Sequence, residues 1–194
     1  MLKSYLTKKQ QGFSLFEILI SLVILGFGIL GLANLQSKLQ LSDIETYQRS
    51  QAILLLNDMV SRIKNNTSDF ESSLLSIPLV VGTGDDQPSS CSDKSGAARD
   101  ICEWSNILKG ASENLGSDSV GGMKDARGCL TEIKEPNPTK GICTPAIYQI
   151  DVVWQGMLST TTSANTCGKG SYGTNDNFRK VISSQITVGL PSCL

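Results

Sequence analysis

Two sets of side chains in this 194-residue chain could carry chemistry: a lone carboxylate in an apolar run, and six cysteines gathered toward the C-terminus. Glu17 is the only ionisable side chain among the 23 residues from Phe13 to Leu35. A carboxylate in such a run costs about 2.5 kcal/mol or more near a bilayer centre, and marks a function or a partner. The plainer alternative is that Glu17, near the start of the run, reaches interfacial water. Cys91, Cys102, Cys129, Cys143, Cys167 and Cys193 all lie beyond residue 90. An even count confined to that part fits a disulfide framework made in an oxidising compartment. With no histidine and no C-x-x-C spacing, they do not read as a metal site. Six cysteines allow fifteen pairings, which sequence leaves open. The expected pairing is by neighbours in order: Cys91–Cys102, Cys129–Cys143 and Cys167–Cys193. The last would tie down the tail, worth about 3 kcal/mol.

No catalytic set emerges. Zero histidines exclude the usual Ser-His-Asp and Cys-His arrangements. Gly82-x-Gly84 is too short and too acidic a setting to cradle phosphate. Asp85, Asp86 and Asp118 lack the spacing of an EF-hand and read as solvated loop. Arg127, Lys134 and Lys140 read as ordinary surface, and Ser159 to Ser163 as a polar loop. No cofactor and no metal is expected.

Glu17 must be positioned by a helix. At about 1.5 Å per residue the run from Phe13 to Leu35 spans roughly 35 Å, enough for a hydrocarbon core of about 30 Å. An ordinary secretory signal has a shorter apolar core, about 7–15 residues, followed by a small-residue cleavage site. Lys3, Lys8 and Lys9 precede the run with no acid among them, which places the N-terminus in the cytoplasm and the remainder outside. Gly26, Gly28 and Gly31 interrupt the segment without forming G-x-x-x-G. Beyond Leu35 the pattern becomes amphipathic: Leu35 and Leu39, then Leu55, Met59 and Ile63, with Ala52, Leu56 and Val60 widening the stripe. Asp43, Glu45, Arg49, Asp58, Arg62 and Lys64 are expected mostly on the other side. One helix from Phe13 to about Asn65 is predicted, needing a globular head to lie against.

The predicted divisions are a leader at 1–12, a transmembrane half-helix at 13–35, an amphipathic half at 36–65, a linker at 66–97 and a disulfide-containing head at 98–194. Within the linker, Leu74 to Val81 is an apolar island, either a short strand or a segment packed under the head. A helix is expected over Ala98–Leu115, with Asp100 and Glu103 near its start favouring a helix N-terminus. Strands are expected over Gly128–Ile133, Ala146–Trp154 and Arg179–Val188, the last two from alternation of period two. The fold class is α+β: a long helix packed on a small antiparallel sheet, with Trp104 and Trp154 in the core.

The opening GFSLFEILISLVILGFGILGLANLQ, after a short basic leader, resembles the N-terminal signal of type IV pilins. Ala126-Arg127-Gly128-Cys129-Leu130, Val152-Val153-Trp154-Gln155-Gly156, Tyr172-Gly173 and Arg179-Lys180-Val181 follow in the order seen in PilV-type minor pilins. The resemblance implies cleavage between Gly12 and Phe13 by prepilin peptidase and N-methylation of Phe13. Cleavage frees an α-amine, of ordinary pKa about 7.7–8.0, in a segment otherwise without a cation. Glu17 of one subunit can then pair with Phe13 of another, an attraction that low dielectric strengthens. Gly26 stands where major pilins often carry glycine, but Asn34 stands where they commonly carry proline, which hints at a minor subunit. Loss of the leader takes the formal charge from −1 to −4, against a nucleic-acid-binding face.

The expected function is that of a structural subunit, not an enzyme: a minor pilin in initiation or at the tip of a type IV pilus in a diderm bacterium, serving adhesion and twitching motility. The expected partners are the major pilin, other minor pilins, the inner-membrane assembly machinery and the membrane. The subunit would sit as a single-pass protein of the inner membrane, head periplasmic, before joining the surface pilus. The alternatives are a minor pseudopilin of a type II secretion system, whose heads are usually smaller and cysteine-poor, and a membrane-tethered adhesin or binding module with an uncut leader.

Overall fold

The structure, a computed structural model, describes Gly12 and residues 14–73, 78–111, 114–115, 118–119 and 123–189. In chain order the elements are α1 (Leu15–Asn65), α2 (Thr67–Ser73), β1 (Leu79–Gly82), α3 (Gly96–Leu108), β2 (Asn114–Leu115), β3 (Asp118–Ser119), β4 (Arg127–Lys134), β5 (Ala146–Gln155) and β6 (Arg179–Val188). The chain falls into two units that divide between Asp43 and Ile44.

In the first unit α1 runs without a break through the apolar segment, whose side chains are exposed on every side. It is the one described helix long and apolar enough to cross a membrane, with a mean hydropathy of 2.5 over its apolar window. A helix apolar all round is stable only in a membrane or wrapped by other protein. Leu35 and Leu39 are 54% exposed, so the buried stripe predicted to start there begins farther on.

The second unit is an α+β head. From Ile44 onward α1 buries Gln48, Ala52, Leu56, Met59 and Ile63, steps of three and four that keep one face inward. That face shares a core with Ile101, Trp104 and Leu108 of α3 and with Leu130, Ile150, Val152 and Trp154 of the sheet. The sheet has the order β1-β4-β5-β6, antiparallel throughout. Residues 74–77 of the apolar island lie outside the described residues; its end forms a strand, paired with β4 from Leu79↔Leu130 to Gly82↔Arg127. Phe70 of α2 is also buried in this core.

The predicted helix over Ala98–Leu115 is shorter. It starts at Gly96, so Asp100 falls in its second turn rather than at its N-terminus. It stops at Leu108 because Gly110 takes φ +90°, and the N–H groups of Lys109, Gly110 and Ala111 turn back to Ser105, Ile107 and Asn106 carbonyls. Leu115 instead pairs with Asp118 in a two-residue ladder. The two acids of α3 serve α1: Arg62 lies 2.9 Å from Asp100 and 2.8 Å from both Glu103 and Asp58. Arg62 therefore faces the head, not the solvent side predicted for it.

Asp85 is not the solvated loop residue expected. Its carboxylate accepts from the N–H groups of Gly82 (2.9 Å) and Gln87 (3.2 Å), from the Ser105 hydroxyl (2.6 Å) and from the Lys109 ammonium. Burial alone would raise its pKa, but these donors outweigh burial and hold it below the usual carboxylate range. The folded value lies below the unfolded one, so the stabilisation is complete above about pH 4 and is lost as pH falls through the folded value. Melting temperature of the full-length chain in detergent should therefore drop on acidification below about pH 4. Asp85→Asn should start lower at neutral pH and flatten that drop; an unaltered acid limb would remove Asp85 from this role.

Candidate functional site

The first turn of α1 presents Glu17. The Ser14 carbonyl accepts the N–H groups of Glu17 (3.0 Å) and Ile18 (3.3 Å), and the Ser21 hydroxyl donates to the Glu17 carbonyl at 2.8 Å. An acid in a first turn suits the positive end of the helix dipole. Around it Leu15, Phe16 and Ile18 are 82%, 69% and 53% exposed, so the carboxylate stands on an uncovered apolar surface. Gly12 is exposed as well, with open space where a Cβ would be. Phe13, the expected new N-terminus, lies outside the described residues.

Of the six cysteines, Cys91 and Cys102 are joined, as neighbour order predicts, with Cα atoms 5.9 Å apart. Cys129 is joined to Cys167 rather than to Cys143. The reason is the sheet: Cys129 on β4 faces away from α1, and the 156–178 connection between β5 and β6 folds back over that outer face. There Cys129, Val153, Cys167 and Tyr172 form a second buried cluster, flanked by Val181. Cys143 is disulfide-bonded too, and with Cys129 held by Cys167 its partner is not Cys129. With Cys167 taken by Cys129, the predicted Cys167–Cys193 bridge is also excluded; Cys193 lies outside the described residues. A bridge spanning 38 residues is worth about 4 kcal/mol through the unfolded chain.

Residues that spacing did not single out hold the connection in place. Arg179, its side chain 1% exposed, donates to the carbonyls of Asn165 (2.6 Å), Cys167 (2.8 Å) and Ser163 (2.9 Å). Asp176 sits 3.8 Å from the Arg179 guanidinium and takes the N–H groups of Gly170 and Tyr172; the Gly170 bond is the main cause holding its carboxyl low. Those bonds offset a left-handed φ of +55° at Asp176. The Tyr172 hydroxyl reaches the Asp125 carbonyl at 2.7 Å, and the Arg127 guanidinium lies 5.3 Å from the ring centre. Arg127 is thus a packing partner rather than the ordinary surface residue expected. Asp151, buried on the outer face, accepts from Asn165, Gln149 and Ser183. Nothing in helical or strand periodicity signals these roles; Tyr172 entered only as a point of resemblance, and Arg179 as that and as the start of a strand. Ser159 to Thr162 stay exposed, and no three His, Cys, Asp or Glu side chains converge among the described residues.

Residues 7–33 match the prokaryotic N-terminal methylation motif. No curated protein and no solved structure matches the chain significantly. The motif indicates a type IV pilin or pseudopilin, and implies processing by prepilin peptidase and assembly with pilus machinery. The apolar N-terminal helix fits a membrane-anchored subunit of that kind.

Arg179→Ala should leave three carbonyls and Asp176 without their cation and loosen the connection. Limited proteolysis of the oxidised protein should then cut within 156–178 at least tenfold faster than in the parent, before the sheet strands are cut. Equal cleavage rates would show that the disulfide alone holds the connection.

Proposed function

We propose that this chain is a PilV-type minor pilin of a diderm bacterium, acting in initiation or at the tip of type IV pilus assembly and so in adhesion and twitching motility. The observation that carries the reading is the match of residues 7–33 to the methylation motif on a helix whose apolar surface is uncovered and holds one carboxylate. Residues 1–12 are a leader removed between Gly12 and Phe13, and Phe13 is then N-methylated. Residues 13–35 hold the subunit in the inner membrane, N-terminus cytoplasmic and head periplasmic, until it passes into the surface pilus. Glu17 pairs there with the α-amine of a neighbouring subunit's N-terminus, whether of the major pilin or of another minor pilin. The exchange of lipid for neighbouring helices leaves the apolar surface covered throughout, so a spanning segment can move sideways into a fibre without exposure to water.

A minor pseudopilin of a type II secretion system shares the same N-terminal motif. Six cysteines, with described bridges on both sides of the sheet, favour the pilus subunit.

Mass analysis of the mature protein from its native host should find a methylated Phe13 N-terminus; an intact Met1 start refutes processing. Glu17→Ala should leave membrane insertion unchanged but lower pilus number at least tenfold, the equivalent of about 1.4 kcal/mol. Normal piliation in that variant would count against the docking role.

A further inference from the structure

We infer that the head reaches its native bridges only with a thiol–disulfide isomerase as partner, which attacks a Cys129–Cys143 bond formed first. Cys91 and Cys102 are neighbours in order and are joined to each other. Cys129 instead skips Cys143 and is joined to Cys167, 38 residues on. Cys143 carries a bridge of its own, to neither of these two.

The unfolded chain favours the wrong partner. Cys143 follows Cys129 by 14 residues, and loop closure makes that contact about fourfold more frequent than contact with Cys167. Cys143 also emerges during synthesis 24 residues ahead of Cys167, a lead of about 1–5 s at about 5–20 residues per second. Disulfides form in seconds or longer, according to the oxidant, so a strong oxidant closes Cys129–Cys143 within that lead. The same oxidant then closes Cys167 on the next cysteine in order, Cys193. No thiol remains in this part of the chain to begin an exchange.

The wrong bond and the native sheet exclude each other. In the β4–β5 ladder Cys129 lies opposite Asp151, and the pairing runs on from there to Lys134↔Ile147. Cys143 lies beyond that end, beside the Asn137↔Thr144 bridge. The strand from Cys129 to Lys134 is about 17 Å long, whereas a disulfide needs Cα atoms within about 7 Å. A chain closed at Cys129–Cys143 therefore cannot complete the hairpin, and its sulfur atoms stay open to attack. In the native head Cys129 and Cys167 are 3% and 4% exposed, so the correct bond is out of an enzyme's reach. Exchange accordingly runs one way.

The partner must supply the thiolate that starts the exchange. Attack at Cys143 breaks its bond to Cys129, forms a mixed disulfide and leaves Cys129 as a thiolate. Cys129 attacks Cys167 in the second wrong bridge, and the thiolate released there displaces the enzyme from Cys143. The number of bridges is the same before and after, and no oxidant or reductant is consumed. The inference rests on export of the head to an oxidising compartment, and not on leader cleavage or on Glu17.

The test follows the full-length chain in its native host by acid quenching after synthesis, alkylation and mass analysis of unreduced digests. The probe is an exported Cys-x-x-Cys isomerase in which alanine replaces the second active-site cysteine, so that mixed disulfides persist. The Cys129–Cys143 bond should appear first and give way to Cys129–Cys167, with the probe trapped on Cys129 or Cys143. Deleting the host's exported isomerases should lower the yield of Cys129–Cys167 at least tenfold and leave Cys91–Cys102 within twofold. Cys143→Ser combined with Cys193→Ser makes Cys129 and Cys167 neighbours in order, so their bond should then form equally with or without the isomerases. Native pairing with no earlier Cys129–Cys143 bond, an unchanged yield in the deletion host, or no probe trapped at either cysteine would overturn the inference. So would these thiols recovered reduced, or a double variant that depends on the isomerases as much as the parent.

Discussion

The indole of Trp104 is the piece on which the head depends. It is fully buried, and its ring N–H donates to the main-chain carbonyl of Leu55, 2.9 Å away on α1. Its ring lies so close over Gly128 of β4 that a Cβ there would fall inside the ring's own atoms. One side chain of α3 thus fixes the spacing of a helix and a strand at once. A buried indole N–H left without a partner costs about 1–3 kcal/mol, so the ring tolerates few placements. The requirement for glycine at 128 follows from that close approach, not from backbone freedom. Arg62 adds a second tie between α1 and α3 at the partly exposed rim, where each ion pair is worth little alone and the network matters more.

The sheet is used on both faces. Ala146, Tyr148, Ile150, Val152 and Trp154 of β5 meet the helices, while Asp151 and Val153 are buried on the opposite side. An antiparallel sheet with one solvated face would show polar residues there. Here the β5–β6 connection covers part of that face, fastened by a disulfide, a buried guanidinium and a carboxylate that caps main-chain N–H groups. A loop carries many main-chain polar groups and can lie against a core only when they are satisfied. Arg179 is suited to this because its fork of donors reaches three carbonyls from one position.

How much of this was legible in the residues depends on whether the cause is local. The long helix could be read because its apolar spacing and its lack of proline act within a few residues. The alternation in β5 and β6 was equally plain, and those strands span the expected positions, β5 one residue longer. β1 was only half legible, since an apolar run of this length fits a strand or a packed segment alike. The end of α3 was missed because Leu115 continued the apparent helical spacing, whereas Gly110 was the stronger signal. The Cys129–Cys167 bridge was illegible: neighbour order ignores the sheet, and only the outer cluster brings these two cysteines together. Arg179 and Asp176 were hidden for the same reason, because a charged residue bound to distant carbonyls leaves no periodic trace.

The two units differ in where their stability comes from. In the head, apolar side chains find partners within the chain, and the covalent bridges lower the entropy of its unfolded state. In the first unit, side chains such as Phe16 and Phe27 find none, and at about 25 cal/mol per Å² their exposure to water is prohibitive. The helix itself is not at issue, because its main-chain bonds are internal and survive in lipid. What it lacks is a cover, and lipid and a bundle of like helices supply covers of similar apolar character, so neither is strongly preferred on hydrophobic grounds. A choice between them therefore falls to the few polar groups present. Glu17 is the only charged group along the run from Ser14 to Leu35, so a single carboxylate can decide which cover the helix takes.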